Sequence, residues 1–239
     1  KYTLMKVLFS LCLALGLSLS SWFFPTLKSD KSLEGAWNTS KGIAIFTPNY
    51  LSCTDFSAAN KKFSGTWGGT YSWKNDSLVV NVEFSSTDKA AVRKQKVFIA
   101  KLKKDLSIKA IGAKDAETWK AISEPEPNAL AGLWQITGRL VDGQIREMPK
   151  AARKTIKIFS KTRFQWAAIN TQTGDFSGTG GGTYTLKDGK YTETLEFFSR
   201  DSSRVGMSLS FDALVEGGKW THSGKSSTGN PVNEIWEKQ

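Results

Sequence analysis

The sequence predicts an all-β chain built as two tandem antiparallel up-and-down β-barrels, and three observations carry that prediction. Short alternating runs such as LVVNVEF (78–84) recur along the chain, while apolar residues at helical spacing do not. A glycine-rich phrase is written twice, FSGTWGGTYSW at 63–73 and FSGTGGGTYTL at 176–186. Eight of its eleven positions are identical at a constant offset of 113. Turn signals, above all Asp188-Gly189, separate the runs as hairpins require.

The first segment stands apart. Lys1 and Lys6 flank a run at 7–19 without charge, followed by Ser20 and Ser21. A basic start, a short apolar core and small residues after it predict a signal peptide over 1–22, with an uncleaved membrane anchor as the alternative. The run is short for a membrane span, so contact with a membrane is expected only through this segment, and the location expected is secreted or periplasmic. Cys12 does not follow the small-residue pattern of a lipoprotein site. Once the segment is removed Cys53 is the only cysteine, which excludes a disulfide framework and a cysteine metal site.

The first barrel is expected over 31–122 and the second over 130–239, joined by a linker at 123–129 that contains SEPEPN. The repeat extends beyond the glycine phrase. Leu33-Glu34-Gly35-Ala36-Trp37 matches Leu130-Ala131-Gly132-Leu133-Trp134, Ile45-Phe46 matches Ile158-Phe159, and Val82-Glu83-Phe84 matches Leu195-Glu196-Phe197. In the second copy strands are expected near 132–138, 155–160, 163–169, 179–187, 190–198, 205–216, 219–224 and 232–238. Eight strands in up-and-down order close into a barrel and leave no sheet edge. The glycines then serve the sharp bends of a small barrel. A phosphate loop is the disfavoured rival, because GTGGGTY has no following Lys-Ser/Thr and leads into a strand. The net charge of +11 is spread over both copies, and no nucleic-acid partner is expected.

Gly35-Ala36-Trp37 and Gly132-Leu133-Trp134 each open a copy. This resembles the Gly-x-Trp signature of lipocalins and their calycin relatives, and the second copy is similar to lipocalin-like domains of bacterial secreted proteins. The resemblance implies a Trp closing the barrel bottom beside a basic residue of the last strand, a part for Lys120 and Lys238. It does not carry over a ligand class.

Hairpin pairing sharpens the reading. A two-residue turn at Asp188-Gly189 sets Leu186 opposite Tyr191, Tyr184 opposite Glu193 and Gly182 opposite Leu195. The face carrying Tyr191, Glu193, Leu195 and Phe197 is the more apolar and is expected inside. Glu193 then becomes a buried carboxylate beside Tyr184, where the first copy has Val80 opposite Tyr71. A buried carboxylate needs a partner: Tyr184, a cation, water or a ligand. Phe164, Trp166 and Ala168 alternate along another strand as apolar wall. His222, the one histidine, shares a face with Trp220. An insertion at 136–155 bears Arg139, Arg146, Lys150, Arg153 and Lys154, as a basic lid or a plain surface loop.

The expected function is a binding module. Its second barrel would hold a small apolar or amphiphilic molecule, anionic in one variant of the reading, against Glu193, Tyr184, Trp166, Phe164, Phe197, His222 and Trp220. The first barrel is expected to be structural. No metal, cofactor or catalytic motif is expected. The alternatives are a cell-envelope interaction protein without a pocket, and an acid–base enzyme using Glu193 and Tyr184.

Overall fold

The computed structural model describes residues 32–239. The signal segment expected at 1–22 lies outside the described residues. The first copy is a closed antiparallel meander of eight strands: β1 (Gly35–Asn38), β2 (Gly42–Phe46), β3 (Tyr50–Ser57), β4 (Lys62–Lys74), β5 (Ser77–Ser85), β6 (Gln95–Leu102), β7 (Leu106–Ala110) and β8 (Glu117–Ala121). Pairing of β1 with β8 closes it.

The second copy comprises β9 (Gly132–Val141), β10 (Gln144–Glu147), β11 (Arg153–Phe159), β12 (Arg163–Asn170), β13 (Phe176–Lys187), β14 (Lys190–Phe198), β15 (Ser208–Glu216), β16 (Lys219–Lys225) and β17 (Pro231–Lys238). β9 and β11–β17 close through β9–β17, and β10 is an extra edge strand on β9. The insertion is therefore a hairpin that prolongs the first strand. Tight turns set the registers. Asn75-Asp76 and Asp188-Gly189 hold positive φ at both residues, which matches the twist of the strands they join. The latter gives Leu186↔Tyr191, Tyr184↔Glu193 and Gly182↔Leu195, the pairs expected from sequence.

The glycine phrase lies on β4 and β13. A Cβ on Gly69 would sit 1.9 Å from the Asn81 carbonyl oxygen, and one on Gly182 2.1 Å from that of Thr194. These close approaches accompany a register shift in each sheet, at Gly68/Gly69 and at Gly181/Gly182. The shift reverses one expectation. Phe197 does not face the interior of the second barrel. It lies over bare Gly181 and against Phe56 and Phe63 of the first barrel, with ring centroids 4.8 and 6.3 Å away. Phe198 turns inward instead and meets Trp166 at 5.6 Å. In the first barrel Phe84 repeats the outward turn over Gly68 and stacks on Phe176 of the second at 6.4 Å.

The two barrels thus pack through their outer walls, and the contacts Phe63–Phe197 and Phe84–Phe176 join the same two repeat positions with the barrels exchanged. Ile45, Tyr50 and Phe84 form one apolar cluster with Ile156, Ile158, Ala167 and Ile169. At its edge the Gln165 amide donates to Thr66 and Thr179 at 2.9 and 3.0 Å and accepts from Thr54 at 3.0 Å. Lys154 of β11 pairs with Glu83 of β5 at 2.8 Å. In the linker, Glu124 accepts from the Ala36 N–H, from Ser160 and from both donors of Thr162, tying β1 to the β11–β12 turn.

At the barrel bottoms Trp37 and Trp134 donate to the carbonyls of Leu33 and Leu130. Lys238 lies 5.6 Å from the Trp134 ring, the part the resemblance implied. Lys120 does not take that part: Ala121, not Lys120, pairs with Trp37, as Lys238 pairs with Trp134.

Candidate functional site

Glu193 is inside the second barrel, 6% exposed, as its strand parity requires. Its partners are Lys157, 3.2 Å away, and the Tyr191 hydroxyl, which donates at 2.6 Å. Lys157 was not among the residues read from sequence. Its ammonium lies among aromatic faces, 4.9 Å from Tyr191, 5.1 Å from Trp220 and 5.6 Å from Trp236. Burial first, then the Glu193 charge and hydrogen bond, hold the Tyr191 phenol well above its ordinary value. Tyr184 pairs with Glu193 along the backbone, but its hydroxyl points elsewhere and donates to the Ser160 carbonyl at 2.8 Å.

The other expected residues fill the same interior. Phe164 and Trp220 are fully buried, and Trp166 covers Gly180 from β12. His222 lies 4.5 Å from Trp220, and its Nε2 is 2.9 Å from Glu234. Burial holds His222 below its ordinary value, so the neutral ring donates through Nε2 to the carboxylate. The second interior is thus occupied by its own rings and one ion pair, as small barrels commonly are.

The first barrel differs at the end bounded by the β1–β2, β5–β6 and β7–β8 connections. There it opens into a cavity of about 830 Å³. Trp67 and Phe98 form a stacked wall, with centroids 5.8 Å apart. Cys53 and Trp119 lie deeper, and Val97 and Ile111 give an apolar rim. Lys41, Asp55, Lys96 and Glu117 also line it. Lys96 holds its ammonium 4.5 Å over Trp67, and Glu117 accepts from Trp119 Nε1 at 3.1 Å. Burial raises the Asp55 carboxyl; Lys41 opposes this and Glu117 reinforces it. Burial pushes the Cys53 thiol up to about 12, so it is no nucleophile at neutral pH.

The registers show why one end is open and the other filled. Cys53 pairs with Trp67 in the first barrel, and Trp166 with Gly180 in the second. The tryptophan has changed strand, and Phe198 stands where the first copy has Ser85. This exchange was visible in the repeat alignment, but not which arrangement leaves room. The insertion of the second copy makes no lid over an interior. Arg139, Lys150 and Lys154 are spent in ion pairs with Glu234, Glu237 and Glu83. Its Leu140 and Ile145 wall an outer groove with Leu214 and Ile235. Among the described residues no cluster of three or more His, Cys, Asp or Glu has metal-holding geometry.

No protein-family model matches the chain, and no curated protein does. Several solved structures are similar to parts of it, two of them from Bacteroides species. One is a lipocalin-like protein from Bacteroides uniformis ATCC 8492, 18% identical, covering 47% of this chain and 100% of its own, with a TM-score of 0.33. The other is an uncharacterized protein from Bacteroides eggerthii DSM 20697, also 18% identical, covering 46% and 98%, with a TM-score of 0.32.

Proposed function

We propose that this is an exported small-molecule-binding protein whose ligand sits in the mouth of the first barrel, with the second barrel as its structural partner. The observation that carries the reading is the contrast between two copies of one unit. One keeps an aromatic-walled cavity of about 830 Å³, within the size range of small-molecule sites. The other fills the equivalent space with Trp166, Phe198 and its own ion pair. The apolar rim of Val97 and Ile111 also supports a ligand with an apolar body. Export rests on the basic, then apolar, then small-residue pattern of residues 1–21.

This moves the site from the second barrel to the first. Glu193 needs a partner inside the barrel, and Lys157 and Tyr191 supply it from within the fold, which leaves no part for a ligand to play there. The same pairing weakens an acid–base role, since Tyr184 and Glu193 share no hydrogen bond and both are shielded from solvent.

The test is native mass spectrometry of protein isolated from the cells that make it. Wild type is compared with Cys53→Trp/Trp67→Gly/Ser85→Phe, which copies the Trp166, Gly180 and Phe198 arrangement into the first barrel. A small molecule carried by wild type and lost from the folded variant is the expected result. A molecule retained by the variant would place the site elsewhere.

A further inference from the structure

Four charged side chains line the mouth of the first barrel: Lys41, Asp55, Lys96 and Glu117. Among the described residues none of the four is in an ion pair, although Lys41 and Glu117 both act electrostatically on Asp55. Mutual pairing would be the ordinary fate of two cations and two anions around one cup.

The second copy shows what happens to these positions where no cavity is kept. Asp55 corresponds to Ala168 and Lys96 to Leu209, both apolar. Glu117 corresponds to Glu234, which is engaged by His222 at 2.9 Å and by Arg139 at 3.3 Å. The residue in the place of His222 is Ile108, so Glu117 has no such partner. Lys41 corresponds to Lys154, which reaches Glu83. Every one of the four charges is therefore removed or paired off in the filled barrel and left unpaired in the open one.

We propose that the mouth of the first barrel recognises a small zwitterion with a planar apolar body. Its ammonium is taken by Asp55 and Glu117, its anionic group by Lys41 and Lys96, and its body by the Trp67–Phe98 wall. The inference rests on the mouth being the binding site. The two signs balance, so an ion of either sign alone leaves two like charges without a counterion in a partly desolvated cup. Ring faces at the wall strengthen this, since Trp67 already carries one ammonium at 4.5 Å. Low-dielectric walls raise the cost of any charge left unmatched.

The test uses the full chain and four ligands that share one ring system: tryptophan, tryptamine, indole-3-propionate and indole, each titrated by calorimetry. Tryptophan is expected to bind at least about tenfold more tightly than either singly charged analogue and more tightly still than indole. Lys96→Gln is expected to weaken tryptophan and indole-3-propionate but not tryptamine, and Glu117→Gln the reverse pair. If tryptamine, indole-3-propionate or indole matches tryptophan, and its binding is lost in Cys53→Trp/Trp67→Gly/Ser85→Phe, the zwitterion is overturned while the mouth remains a binding site. If none of the four binds, and the neutral probe N-phenyl-1-naphthylamine does not bind either, the site itself is wrong and this inference falls with it.

Discussion

Position 193 carries a carboxylate where the first barrel has Val80, and position 157 an ammonium where it has Ala44. Each residue makes the other's burial tolerable. At 5% and 6% exposure neither charge has water to fall back on, so removing one strands the other. Glu193→Val alone is expected to cost about 3–5 kcal/mol by chemical denaturation. The volume-conserving double variant Lys157→Met/Glu193→Val is expected to recover most of that loss, and equal loss in single and double variants would show that the pair is not coupled. Glu193 was legible in the sequence because hairpin parity from Asp188-Gly189 fixes its face. Lys157 was not, for a physical reason. In IKIF (156–159) a period-two reading turns Ile156 and Ile158 inward and the lysine out. The isoleucines instead face outward into the contact with the first barrel, where the outer wall is as dry as the core. Alternation marks a buried face only when the opposite face is wet.

At the scale of the element, the repeated glycine phrase does more than bend a strand. Bare backbone at Gly68 and Gly181 lets the rings of Phe84 and Phe197 lie flat on β4 and β13, and the register shift beside each aims those rings at the other barrel. The sequence showed the phrase, its duplication and the paired strands. It did not show the shift, because one extra residue on β5 or β14 leaves the same apolar pattern and only changes which phenylalanine of Phe197-Phe198 faces in. A methyl on Gly182 would meet the Thr194 carbonyl oxygen at 2.1 Å and the Glu196 backbone nitrogen at 2.7 Å, and neither backbone atom can yield as a side chain would. Gly182→Ala is therefore expected to destabilise by about 3 kcal/mol or more in thermal or denaturant unfolding. A change under about 0.5 kcal/mol, the ordinary range for a surface site, would contradict the packing described here.

For the whole molecule, the two copies of one unit differ in their interiors, one open at a mouth and one filled. The eight-strand meander, its closure and its doubling were legible from the glycine phrase, the Gly-x-Trp openings and the turn chemistry. Which copy holds the cavity was not, since it depends on how interior volumes sum. The open mouth has Trp67 on β4 and Ser85 on β5; the filled one has Trp166 on the strand before and Phe198 in the place of Ser85. The apolar wall contact, the Gln165 amide network and the four hydrogen bonds to Glu124 fix the filled barrel against the open one. The most direct measurement of this difference is a fluorescence titration with N-phenyl-1-naphthylamine on three proteins: wild type, Cys53→Trp/Trp67→Gly/Ser85→Phe, and Lys157→Met/Glu193→Val. Saturable binding to wild type and to the second-barrel variant, with none to the variant whose first mouth is filled, is the predicted result. Binding that survives filling of the first mouth, or that is lost only when the second interior is altered, would contradict it.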